Sequence, residues 1–210
     1  MNKPFFYTIA IIILLTGISS KGNCQSQMTM TTCKNKLFEN YLNKFNLYSL
    51  PIKTDTITNY SGNKVTLEEF NCFIKDSSDT FWKYRLYSDN SKSFFEYRPL
   101  CKFKIGDKIG LLCACFYFDD DMTKDRGDVF LSIFDSKGTK ISHLPSISGG
   151  RFDNFASDIL FDEINCKAII TENYHIEITC NIYSWEDEKE HISKKYYHIT
   201  NEGKIEEIVK

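Results

Sequence analysis

The sequence predicts a mainly β protein: an antiparallel β-meander, built as a sandwich or a propeller-like sheet, with one N-terminal α-helix packed on it. Three observations lead there. Residues 106–144 hold two nearly continuous apolar runs around an acidic loop, and a third, shorter run follows Ser136-Lys137-Gly138; strands apolar on both faces must be covered on both sides. Alternating segments separated by polar turns follow this stretch and precede it. Aromatic residues make up 15 % of the chain, which suits strands and a core better than disorder.

The chain begins with the features of an export signal. Lys3 is the positive start, Phe5 to Leu15 the apolar stretch, and Thr16 to Ser20 the small, polar end. That apolar stretch is shorter than the ~20 residues a membrane span takes. Residues 1–24 are therefore read as a signal peptide and 25–210 as a single mostly-β domain. No membrane span is expected in the mature chain. Two addresses follow. Cleavage after Cys24 gives a soluble periplasmic or secreted protein; acylation of Cys24 gives a lipid-anchored one. Asn23 and Lys21 stand where lipoprotein signals usually carry a small and an aliphatic residue, which favours soluble export. The balance of 26 basic against 28 acidic residues points to no nucleic-acid partner.

Helical spacing of Leu37, Phe38, Tyr41, Leu42 and Phe45 predicts a helix over Cys33 to Asn46, stopped before Pro51. Thr54–Asn59 and Lys64–Leu67 read as short strands, and Leu67–Ile74 as a short helix with Glu68 and Glu69 in its first turn. Phe81–Tyr87 and Phe95–Ile105 alternate. As a hairpin they set Leu86 opposite Phe95 and Tyr84 opposite Tyr97, and leave Lys83, Arg98, Lys102 and Lys104 as a basic outward stripe. Those four are the candidate binding residues for an anionic ligand, although such a stripe is more often simply the solvated face of a sheet. Pro99 marks an edge or a break.

Ile109–Phe118 and Val129–Phe134 are the central strands. The acidic loop Asp119–Asp128 between them lacks the glycine and terminal glutamate of a calcium loop, having Lys124 and Phe130 there, and reads as a solvated tip. Ser146–Asn154 reads as a long turn-rich connection. Ile164–Thr171 and His175–Tyr183 then pair around Glu172-Asn173-Tyr174. Apolar partners meet if Ile170 faces Ile176 and Ala168 faces Ile178, and the same register sets Cys166 opposite Cys180 as a candidate disulfide. His191–Thr200 and Lys204–Val209 form the last hairpin.

The eight cysteines show no C-x-x-C and no zinc spacing; Cys113 and Cys115 share one strand face and read as buried small apolar residues. No nucleophile elbow, H-E-x-x-H, P-loop or dinucleotide fingerprint occurs. His191 and His198, seven apart in a strand, fall on opposite faces. His175-Ile176-Glu177 has the H-x-E of a zinc deaminase but no P-C-x-x-C. No catalytic residue, cofactor or metal is expected. A distant Cys–His pair is the one nucleophilic arrangement that spacing leaves open.

LFENYLNKFNLYSLP at residues 37–51, F-x-x-G-x-K-I turns, and YHITNEGKIE at residues 197–206 resemble a broad group of exported proteins and lipoproteins of Bacteroidota with no established activity. The resemblance spans most of the mature chain and rests on packing and turn motifs. It implies an envelope address and a mostly β fold. The functional expectation is a non-enzymatic envelope module with a protein or glycan partner; the alternative is a hydrolase whose site is assembled from distant residues.

Overall fold

The computed structural model describes residues 34–57, 63–75, 94–118, 124–153, 162–184 and 188–209. The export signal with Cys24, the strand Phe81–Tyr87 with Lys83, the segment 159–161 and the start of the acidic loop lie outside the described residues. The chain divides into two units, Met1–Glu39 and Asn40–Lys210, and the sheet belongs to the second. No described helix is long and apolar enough to cross a membrane.

Ten strands among the described residues form one sheet. They are β1 (Asn46–Leu47), β2 (Ile52–Lys53), β3 (Phe94–Ile105), β4 (Lys108–Phe118), β5 (Lys124–Phe134), β6 (Lys140–Asp153), β7 (Asp162–Ile170), β8 (His175–Ser184), β9 (Lys189–Ile199) and β10 (Ile205–Glu207). From β3 to β10 each strand pairs antiparallel with the next, the meander the alternation predicts, and β1 adds in parallel outside β3. β2 departs from this order. It pairs with Ile169 and Ile170 at the far end of β7, while β6 pairs with the near end, Asp162 to Cys166. Two segments of the chain thus share one edge of β7.

Alternation then decides the layers. Leu112, Ala114 and Phe116 of β4 and Leu131 and Ile133 of β5 face inward and share one core with Ala168, Ile170, Ile176, Ile178 and Ile199 from the other half of the sheet. The sheet therefore folds over its own inner face. The Gly203 turn of the last hairpin comes to lie against Lys108, Ile133 and Ile141, and Ser142 Oγ donates to Gly203 O at 2.6 Å. The opposite face of β4 and β5 (Leu111, Cys113, Cys115, Phe130 and Phe134) is buried as well. Its cover is helical. α1 (residues 34–42) ends in the turn that carries Tyr41 and Leu42, and α2 spans Leu67–Ile74, its first turn α and the rest the wider π form. Phe73 stacks on Tyr41 at 5.0 Å and meets Phe134 edge-on at 6.2 Å; Phe70 lies 4.9 Å from Tyr97.

α2 starts where the two glutamates predict. Thr66 Oγ1 accepts from Glu69 N–H at 3.2 Å, and the Glu69 carboxylate accepts from Thr66 N–H at 2.8 Å, a reciprocal cap that satisfies two otherwise orphaned donors. The buried Glu69 carboxylate also pairs with Lys44 at 2.6 Å. Lys44 thereby ties the chain after α1 to the start of α2.

Four elements differ from expectation. Lys64–Leu67 is not a strand: residues 63–66 lead into α2, with one sheet-like bond from Val65 N–H to Tyr97 O at 3.0 Å. β6 continues through Ser146–Asp153, which composition assigns to a loop. Its turn residues serve as bulges: the register with β5 slips between Leu144 and Ser148, Ser146 takes φ 49° and Gly149 takes φ 131°. β5 begins at Lys124, so Asp125 to Asp128 belong to a strand rather than to a tip. Residues 54–56 form a single 3₁₀ turn instead of a strand. Thr54 Oγ1 there accepts from Ala168 N–H at 2.9 Å. That bond prolongs the edge occupied by β2.

Candidate functional site: a polar cleft at the β6–β7 junction

The split edge of β7 opens a cleft of about 710 Å³. Its apolar lining is Ile57, Ala114, Phe116 and Val129; Asn165 and Lys167 of β7, Thr179 and Asn181 of β8, Ser148 of β6 and Asp55 of the 3₁₀ turn supply polar groups. Each arrives for a local reason. Asn165 lies directly opposite Asn181, and Lys167 opposite Thr179, in the register fixed by the β7–β8 hairpin. Gly127 lies opposite Phe116, and a Cβ at Gly127 would overlap the Phe116 ring. The missing side chain lets the ring lie flat across β5. Arg98 sits 6.0 Å over that ring, in cation–π range. Asp55 is held at the rim because Thr54 is bonded to Ala168. Two carboxamides, two hydroxyls, an ammonium and a carboxylate thus stand around an apolar floor.

Beside the floor lies the buried Glu96, paired with both Lys64 and Arg98. Burial alone would push its carboxyl up, but the hydrogen bonds and charges of Lys64 and Arg98 outweigh burial and hold it below the usual carboxylate range. It is an ionised anchor, not a proton donor.

Arg98, Lys102 and Lys104 do not form one basic stripe. β3 carries a register shift between Pro99 and Cys101, and the extra residue changes which face later side chains take. Arg98 opposes Ala114, which faces the core, whereas Lys102 and Lys104 oppose Leu111 and Ile109 on the helix-covered side. There Lys102 Nζ donates to Leu42 O at 2.8 Å, and Lys104 remains exposed. Lys83 lies outside the described residues.

Cys166 and Cys180 face each other and are joined by a disulfide, with Cα atoms 4.0 Å apart. Cys166 lines both the 710 Å³ cleft and a second one of about 550 Å³ on the inner side of β7–β9, floored by Ile164, Ile178 and Ile182. Cys101, Cys113 and Cys115 are buried free thiols. Burial pushes Cys101 and Cys115 up to about 12, and Cys113 also rises well above the usual thiol range. None of the three is a thiolate at neutral pH. One hydroxyl–imidazole pair occurs in the described hydrogen bonds: Ser132 Oγ and His143 Nδ1 share a bond of 3.0 Å across β5 and β6. Ser132 is only 3 % exposed, and the pair links β5 to β6 inside the fold.

Asn165 and Asn181 were recoverable from the sequence. The register that brings Cys166 to Cys180 brings these two together one position away; the signal was a matched pair of amides on the polar face of the hairpin.

Fold and site together define a mainly β meander with a partly polar cleft at the junction of its two halves. No family model, curated protein or solved structure matches the chain.

Proposed function

We propose that this protein is a non-enzymatic binding module of the bacterial cell envelope and that the cleft at the β6–β7 junction takes a carbohydrate of oligosaccharide size. The observation that carries the proposal is the Asn165–Asn181 pair, two carboxamides side by side with no side-chain partner among the described residues. An amide both donates and accepts, as sugar hydroxyls do. Part-exposed Val129, with the buried Ala114 and Phe116 behind it, offers an apolar floor to the C–H face of a ring. The volume lies in the range of small-ligand sites. High thiol pKa values, an ionised Glu96 and a buried Ser132 support binding over acid–base or nucleophilic work. The envelope address rests on the N-terminal signal features and the disulfide, which suits an oxidising compartment.

The test is a glycan array followed by calorimetry on the retained sugars. The double variant Asn165→Ala/Asn181→Ala is expected to weaken binding roughly tenfold or more, from the loss of two to four hydrogen bonds. An array that retains no glycan, or a double variant that binds like the parent, overturns the proposal.

A further inference from the structure

We infer that His175 and His198 form the core of a binding site for a divalent transition-metal ion of the zinc class, with Glu206 as a third donor. The two histidines lie directly opposite each other on β8 and β9, and their ring centroids are 4.8 Å apart with planes at 41°. Ile199 N–H donates to Tyr174 O at 3.0 Å. His175 and His198 therefore occupy the next, non-hydrogen-bonded position, where opposed side chains come closest. β10 sets Glu206 opposite His198. Opposed residues share a sheet face, so two imidazoles and a carboxylate stand in one row across three strands.

Nothing among the described residues uses the ring nitrogens. Neither imidazole has a hydrogen-bond partner among the described residues, and Nδ1 of His198 is buried and unpaired. A buried polar nitrogen without a partner is costly, and native structures usually account for it with a water or an ion. The neighbouring cation is already neutralised, since Lys194 pairs with Glu177 at 2.9 Å. Among the described residues no three donors converge on one point as they stand. Glu206 is exposed on a strand of three residues, and its carboxylate must turn toward the histidines when the ion binds. Neutral imidazoles bind zinc at about 2.0–2.1 Å, with water filling open positions. The same donors bind nickel and copper.

The experiment is a titration of the whole chain, its accessible thiols first alkylated, with zinc chloride at neutral pH. It is read by calorimetry and by the imidazole nitrogen resonances. One ion per chain is expected, with the His175 and His198 resonances shifting together. His175→Ala and His198→Ala each weaken binding by about tenfold or more, and Glu206→Gln by less. His191→Ala, on the opposite face of β9, changes nothing. Unmoved imidazole resonances at saturating zinc overturn the inference, as does parental affinity in the two histidine variants. Circular dichroism checks that the variants fold, and the parental spectrum decides the matter should either fail.

Discussion

Cys166 and Cys180 are joined across β7 and β8 at a position where the strands exchange no backbone hydrogen bonds. Thr171 N–H bonds to His175 O at 2.8 Å, and counting back in steps of two from that pair leaves Cys166 and Cys180 at an unbonded site. The bridge spans 14 residues, and a loop of that size stabilises by about 2–4 kcal/mol through the unfolded chain. Replacing both cysteines by serine is expected to lower the unfolding free energy by that amount. Urea denaturation of the variant beside the parent measures it.

Glu96 gives the protein an acid limit. Its pKa is depressed in the folded state, so the stability it contributes is present above the ordinary carboxylate range and is lost as pH falls through the folded value. The gap in thermal midpoint between the parent and Glu96→Gln should be steady above about pH 5 and should narrow as pH falls toward about 3. A gap independent of pH would remove Glu96 as its source.

Native-state alkylation should separate the thiols. Cys72 is exposed, whereas Cys101, Cys113 and Cys115 are buried. Iodoacetamide at about pH 8, where an ordinary thiol is partly ionised, is expected to label Cys72 and to spare the other three until denaturant is added. Peptide mass spectrometry reads the outcome residue by residue.

Gly149 is a fourth test. Its φ of 131° is one that side chains avoid, and a Cβ there would overlap Gly127 O. It pairs with Asp128 on one side and Cys166 on the other. Gly149→Ala is expected to cost about 1–3 kcal/mol from backbone strain alone, and to widen or distort the cleft that Gly127 and Gly149 line. Urea denaturation gives the first quantity; sugar calorimetry gives the second.

Much of the fold was legible because a period of two was written clearly. The Ile170–Ile176 and Ala168–Ile178 pairs followed from apolar alternation, and the apolar runs of β4 and β5 required cover on both faces, as found. The bulge was half legible. Pro99 marked a break in β3, but not its consequence: one extra residue at Leu100 moves Cys101, Phe103 and Ile105 from the face of Tyr97 to the core. The same physics hid the second half of β6. Pro145, Ser146, Gly149 and Gly150 are turn formers by propensity, yet sheet pairing outweighs propensity when a bulge can absorb the awkward backbone. The cleft depends on that bulged half-strand and on β2, which reaches the same edge of β7 from far away in sequence, so local pattern pointed only to Asn165 and Asn181.

The shared edge of β7 sets the order in which the molecule can be assembled. Every hairpin from β3 to β10 closes between neighbours in sequence, but Thr54 must find Ala168, 114 residues away. Local closures come cheaply and early; long ones wait. The segment around Ile52 is synthesised before any hairpin exists and is among the last to settle, because its place is an edge that the ribosome has not yet made. A nascent chain halted short of Ala168 would have complete hairpins from β3 to β5 and an N-terminal segment still without a seat.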